Sequence, residues 1–146
     1  MIAHLDTSAV AKSVLSEPGS DIVDTVWDTA AELVASRLLL VEMGSVIARV
    51  ARMLHLSRPT RHQITRAWEA RRGDIATVDV TASVVDRAVE LVHRHPLSGA
   101  DAVHLATALS LDLAEVVFVT WDARLHRAAR AEGLAVAPGD PTGRRP

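Results

Sequence analysis

Residues Val116 to Leu125 read VVFVTWDARL. Four consecutive apolar residues, three of them valine, make a buried strand, because no polar residue alternates with them to face water. Thr120 completes the strand Val116–Thr120, and Trp121 makes the turn. Asp122 then opens an arginine-rich helix to about Glu132, which Gly133 is placed to terminate. Strand, turn and helix recur in both directions from here. Downstream, Leu134–Ala137 is a last short strand. Upstream, Ser98–Leu111 is an apolar helix, and Thr81–His95 is a second helix that stops before Pro96. Ile75–Val80 is short and β-branched, a strand. Ser57 and Pro59 cap and open a basic helix that reaches Arg72, and Ser36 is placed to cap a long helix to about Leu56. Leu33–Ala35 is a short strand. Asp21–Ala31 carries Ile22, Val23, Val26, Trp27 and Ala30 at helical spacing. Met1–Leu5 is an apolar strand running into the helix Ser8–Leu15.

Strands alternating with helices, and apolar runs without alternation, require a parallel sheet covered on both faces. The fold class is therefore α/β, an α/β/α sandwich around a four- or five-stranded, mainly parallel sheet. Residues 1–137 form one domain, with no internal repeat or linker, and the segment PGDPTGRRP, 138–146, reads as a flexible tail.

The composition narrows the function. Of 146 residues, 49% are apolar and 23% charged, the balance of a folded domain. Cysteine is absent, which excludes disulfides, thiolate zinc sites and cysteine nucleophiles. The N-terminus lacks the basic and apolar regions of a signal peptide, and no run of about 18 apolar residues spans a membrane. These point to a cytoplasmic protein with no membrane partner. Net charge is −2, yet it is unevenly spread. Residues 1–32 carry six acids against Lys12 alone, while residues 49–72 carry seven arginines against Glu69 alone.

Four acids stand where an ordinary core or helix would not need them: Asp6 after the first strand, Asp122 after VVFVT, Asp101 in SGADAVHLATAL and Glu42 in LLLVEMGSVI. Ligands of open α/β sheets sit outside the carboxyl ends of the strands, and Asp6 and Asp122 lie there if the strands are parallel. Each acid also has a plain local role. Asp6 and Asp122 suit helix N-caps, Asp101 answers a helix dipole, and Glu42 has Arg37 or Arg61 as a possible ion-pair partner. Together, however, the four would repel by about 4 kcal/mol per pair at about 4 Å and an effective dielectric near 20. Protonation or a cation must relieve this. Oxygen ligands without cysteine or a histidine pair select Mg²⁺ or Mn²⁺ over zinc. Such a site suits phosphodiester hydrolysis, in which the cation activates water and offsets charge on the phosphate.

LDTSA near the N-terminus, the helical acid in VEMGSVIAR, DAVHLATAL and VTWDARL, in this order, resemble the PIN-domain nucleases, and more closely VapC-type toxins of bacterial toxin–antitoxin pairs. The resemblance spans Met1 to Ala137. It implies a metal-dependent endoribonuclease needing Mg²⁺ or Mn²⁺, with tRNA or ribosomal RNA as substrate. By position, Asp6, Glu42, Asp101 and Asp122 match the family's acidic quartet. Thr7 matches a small hydroxyl residue that helps orient the site, and Thr120 a hydrogen-bonding support. His104 matches a common family residue and reads as structural. The resemblance further implies a homodimer and a small cognate antitoxin whose C-terminal segment covers the groove and can insert a basic side chain among the acids.

RNA contacts outside the quartet are read from charge and aromaticity. Arg61 and Arg66 in the basic segment would hold the backbone by salt-dependent phosphate contacts, with a solvated face or a dimer interface as the bland alternatives. Trp121 beside Asp122 is the candidate for base stacking, or else covers the edge of the core. Rival classes fare less well. Asp6 is followed by Thr7 and Ser8, not by the Asp-x-Asp of a haloacid-dehalogenase phosphatase. A receiver domain needs a late lysine and a P-loop needs GxxxxGK[ST]; neither is present. A non-catalytic PIN-like binding module would be expected to lose an acid, and a DNA nuclease with the same metal chemistry stays open.

Overall fold

Ile2–Leu5 (β1) occupies the centre of the sheet in this computed structural model, which describes residues 1–111 and 114–141. Glu32–Ser36 (β2) and Val116–Val119 (β4) flank β1, and Ile75–Val78 (β3) and Ala135–Ala137 (β5) form the edges. The order is β3-β2-β1-β4-β5, and every pairing is parallel. Seven helices are described: Thr7–Leu15 (α1), Ser20–Thr29 (α2), Leu38–Met53 (α3), Arg58–Arg72 (α4), Ala82–Arg94 (α5), Gly99–Ser110 (α6) and Ala123–Ala131 (α7).

Successive strand residues point to opposite faces, so the sheet feeds two cores. Ala3 and Leu5 of β1 join Leu33 and Ala35 of β2 against Val10, Leu39, Met43 and Trp68 from α1, α3 and α4. On the other face Phe118 packs with Val84, Leu91, Leu105 and Leu125 from α5, α6 and α7. His4 turns to this second face, fully buried and stacked on Phe118 at 5.2 Å between ring centroids.

The expected five strands and seven helices are all present, with shifted ends. Ser36 belongs to β2, and α3 begins at Leu38; the Ser36 hydroxyl still accepts the Leu38 N–H at 3.3 Å. α3 stops at Met53 instead of Leu56, because the chain turns left-handed at His55, φ 47°. β3 ends at Val78, where Asp79 leaves the sheet to pair with Arg37 at 2.8 Å. In the expected tail, the Pro138 carbonyl accepts a hydrogen bond from His126 Nε2 at 2.8 Å, and residues 142–146 lie outside the described residues. Among the described residues no helix is long and apolar enough to cross a membrane.

Candidate active site

β1 and β4 are neighbours whose chains leave for opposite faces, α1 into the first core and α7 into the second. The crevice at their carboxyl ends is thus the switch point of the sheet, where ligands of such folds bind. Asp6 stands at the end of β1 as the N-cap of α1, and Asp122 follows β4 as the N-cap of α7. Both local roles suggested by the sequence are real. Asp122 Oδ1 accepts the Arg124 and Leu125 N–H groups at 2.8 Å each. Asp6 Oδ1 accepts the Ala9 N–H at 3.0 Å and the Ser8 hydroxyl at 2.7 Å, and its Oδ2 accepts the Thr120 hydroxyl at 2.8 Å. Asp101 sits in the first turn of α6, where Ser98 is the N-cap: the Ser98 hydroxyl accepts the Asp101 N–H at 3.1 Å and donates to Asp101 Oδ2 at 2.7 Å. Three helix N-termini therefore meet the site, each favouring negative charge.

Glu42 is held differently. It lies inside α3, and its partner is His104 of α6 rather than Arg37 or Arg61. His104 Nε2 hydrogen-bonds Glu42 Oε1, which also accepts the Thr7 hydroxyl at 2.9 Å. Thr7 thus supports Glu42, while Ser8 and Thr120 support Asp6. Partial burial pushes the Glu42 carboxyl up, but the hydrogen bonds from His104 and Thr7 and the charge of His104 outweigh it, leaving Glu42 below its ordinary range. Asp6 shows the opposite balance. It is 4% exposed, and burial raises it above the ordinary carboxylate range against the pull of His104, Ser8, Ala9 and Thr120. His4 lies deeper still; burial and the nearby His104 lower it to about 3, so it is neutral.

Three of the four carboxylates open onto one cleft of about 670 Å³, lined by Thr7, Ser8, Lys12, Glu42, Arg49, Asp101, Trp121 and Asp122 among others. Asp6 lies beneath this lining, bonded to Ser8. Glu42, Asp101 and Asp122 each commit one oxygen to the protein. Their second oxygens, Glu42 Oε2, Asp101 Oδ1 and Asp122 Oδ2, have no protein donor among the described residues. Asp6 Oδ2 accepts a single bond, so a lone pair remains there too. Among the described residues, no three His, Cys, Asp or Glu side chains are close enough together to grip one ion directly. A hard cation that keeps most of its water and takes one or two carboxylates fits this open, all-oxygen arrangement.

The other predicted contacts scatter. Trp121 is half-buried on the cleft wall with the Lys12 ammonium 5.6 Å from its ring centroid. Arg61 lines a separate groove between α3 and α4, and Arg66 lies on neither the groove nor the cleft. The arginine run in 49–72 is also partly spent on structure: Arg71 bonds Asp24 at 2.7 Å and Arg72 pairs with Glu69 at 3.4 Å. Sequence reading missed Ser8, whose hydroxyl bonds Asp6 and accepts the Trp121 N–H at 2.9 Å. A hydroxyl two residues after a capping acid was its signal. The reach of His104 to Glu42, across 62 residues, had none in one sequence.

Residues 3–131 match the model of the PIN domain. The chain belongs to the PIN-domain family. A relative within it, Ribonuclease VapC45 from Mycobacterium tuberculosis (strain CDC 1551 / Oshkosh), is 36% identical over 137 residues, covering 94% of this chain and 95% of the relative. Among solved folds, VapBC2 from Rickettsia felis, bound to a DNA fragment from their promoter, superposes with a TM-score of 0.67 at 14% identity, over 93% of this chain and 97% of that one. VapC20 of Mycobacterium tuberculosis, described as a sarcin–ricin loop cleaving toxin, gives a TM-score of 0.65 at 18% identity, over 91% and 96%. The five-stranded parallel sheet flanked by helices is consistent with the PIN fold.

Proposed function

We propose that this PIN-domain chain is the ribonuclease toxin of a toxin–antitoxin pair, cutting RNA phosphodiester bonds in the acidic cleft with Mg²⁺ or Mn²⁺. One observation carries the reading: Glu42, Asp101 and Asp122, from three different elements, each leave one oxygen open to the same cleft, with Asp6 beneath them. That economy makes sense for residues that must hold something besides their own helix caps. The 36% identity to a protein named as a ribonuclease supports the reading. The likeness to a sarcin–ricin loop cleaving toxin makes structured ribosomal RNA a substrate to test beside tRNA.

The residues divide the work. One or two of Glu42, Asp101 and Asp122 would hold the cation directly through an open oxygen and the others would hold its water, with Asp6 adding a fourth carboxylate from below. The cation supplies an activated water and offsets charge on the phosphate. Thr7 and His104 fix the Glu42 rotamer, and Thr120 links two acids, since its hydroxyl donates to Asp6 and accepts the Asp122 N–H at 3.1 Å. The helix N-termini beneath Asp6, Asp101 and Asp122 steady the concentrated negative charge. Arg61 and Arg66, outside the cleft, add a salt-dependent hold on backbone that leaves it. The same acidic cleft suits the basic side chain of an antitoxin segment. Exposed Val41, Met53 and Leu54 at α3 offer apolar surface to that partner or to a second copy in a homodimer.

Purified protein freed of any partner, incubated with total cellular RNA and Mg²⁺, Mn²⁺ or EDTA beside Asp101→Asn, tests the reading. Discrete fragments that require both a metal and Asp101 support it. Fragments that persist in EDTA or in the variant count against it.

A further inference from the structure

The acidic cleft poses a problem for its own substrate. A phosphodiester is an anion, and the carboxylates that hold a cation repel it at every position the cation does not screen. Among the described residues the cleft lining contains two side chains of positive charge, Lys12 from α1 and Arg49 from α3. They occupy matching places. Thr7, Ala11, Lys12 and Leu15 form one stripe along α1, and Glu42, Ser45, Val46 and Arg49 form one along α3; both stripes line the same cleft. The stripes touch where Thr7 bonds Glu42 at 2.9 Å. At 1.5 Å per residue, Lys12 lies about 7.5 Å along its axis from Thr7, and Arg49 about 10 Å from Glu42.

The two cations are prepared differently. The Lys12 ammonium is fixed: it donates to the Pro18 carbonyl at 3.0 Å, lies 3.7 Å from the Glu17 carboxylate, and sits 5.6 Å from the Trp121 ring centroid. Its side chain is 17% exposed. The Trp121 ring is itself held, because Gly19 (φ +96°) lies so close that an added Cβ would stand 3.1 Å from the indole nitrogen. Arg49 is exposed and has no ion pair or hydrogen bond among the described residues. This sets it apart from Arg37, Arg71, Arg72 and Arg94, each of which faces an acid. Arg49 lines a cleft containing three open carboxylates without being neutralised by any of them.

We infer that Lys12 and Arg49 form a two-cation clamp on the backbone of single-stranded RNA, holding phosphates that flank the one cut at the acids. The inference rests on the ribonuclease reading and names the groups that bring its substrate to the site. Lys12 is the preset half of the clamp and Arg49 the half that closes on the strand. Trp121 is then a positioning residue: the Lys12 ammonium occupies its ring, so its part is to aim that charge rather than to stack a base.

The test uses the full chain in the non-cleaving Asp101→Asn background, a fluorescein-labelled single-stranded RNA of mixed sequence, and anisotropy titrations across about 50 to 200 mM KCl. Each phosphate contact on a single strand contributes about 0.7 to the slope of log affinity against log salt. Lys12→Gln and Arg49→Gln should each make the slope shallower by about 0.7, and the double variant by about 1.4. Lys12→Arg should keep the parental slope, and so should Arg87→Gln on α5 at the far face of the sheet. In the cleaving protein, the same two glutamine variants should raise KM more than they lower kcat. Unchanged slopes in both glutamine variants would overturn the clamp while leaving the ribonuclease reading intact. A base-stacking role for Trp121 would instead show as affinity lost in Trp121→Leu with the salt slope unchanged, and would overturn the positioning role. Should the wild-type protein bind RNA through Lys12 and Arg49 yet cut nothing with Mg²⁺ or Mn²⁺, the clamp stands and the ribonuclease reading fails.

Discussion

Helix α3 has a groove on either side, and the two are nearly equal in size, about 680 Å³ against α4 and about 670 Å³ against α1. Their chemistry differs completely. The α3–α4 groove is lined by Leu40, Ile47, Ala51 and Trp68 and rimmed by Arg52, Arg58, Arg61 and Arg72. The α1 side carries Glu42, Asp101 and Asp122 with only Lys12 and Arg49 for balance among the described residues. One helix sorts the two sets simply by its period: Glu42, Ser45 and Arg49 fall on one side, and Gly44, Ala48 and Arg52 on the other. Arg52, Arg58, Arg61 and Arg72 therefore gather on the α4 side, away from the acids, and Arg49 alone of the seven arginines in 49–72 lines the acidic cleft among the described residues. The proposed centre is instead the side whose carboxylates have hydrogen bonds only half used.

The comparison predicts different costs on its two sides. On the acidic side, Asp101→Asn should lower RNA cleavage by about 10²–10³-fold, the scale for removing one preorganised group from a charged transition state. A comparable loss from Arg52→Gln, with Asp101→Asn near wild type in single-turnover assays, would reverse the assignment of the two grooves. Behind the acidic cleft, His4 must stay neutral. Its folded value near 3 lies below the unfolded value of 6.5, so the unfolded chain binds more protons between them and stability falls as pH drops. From about pH 6.5 to about pH 4.5 the loss amounts to roughly 2 kcal/mol, measurable by urea denaturation, and His4→Leu should flatten that limb. Matching acid limbs in both proteins would remove His4 from the account.

Smaller effects sharpen the contrast. His104→Gln should cost about 10–100-fold in activity, the usual scale for a residue that orients a ligating carboxylate. It should also cost about 1–3 kcal/mol in stability through the lost hydrogen bond to Glu42; a drop in melting temperature with full activity would make His104 purely structural. On the basic side, Arg61→Glu with Arg66→Glu should raise KM a few-fold and make its salt dependence shallower, leaving kcat unchanged. A fall in kcat there would bring α4 into the chemistry.

Much of this was legible in the chain itself. The run VVFVT with its following acid, the apolar first strand and the capped helices between them give the parallel sheet directly, because burial on both faces removes polar residues from the strands. Asp6 and Asp122 could be placed at strand ends for the same reason. The element ends were less visible: the left-handed turn at His55 that shortens α3 follows from no special residue. The partners of the acids were hidden for a different reason. Thr7 reaches Glu42 and Thr120 reaches Asp6 across 35 and 114 residues, and such pairings depend on how helices dock on the sheet. That Arg61 faces the α3–α4 groove while Arg49 faces the acids was hidden too, since closeness in sequence stands in poorly for which side of a helix a residue occupies.

The central place of β1 has a further consequence, concerning time rather than space. Ile2 pairs with Val116, so the strand made first waits for one made after more than three quarters of the chain. Contacts this distant in sequence close late, because their loop entropy must be met before they contribute. A chain still emerging from the ribosome carries Asp6, Glu42 and Asp101 but has neither β4 to seat Asp6 through Thr120 nor the Asp122 that follows it. Chains in synthesis domain by domain fold as units, and here the unit closes only with its last strands. The crevice that gathers the acids is therefore completed only when β4 pairs with β1, late in the closing of the fold.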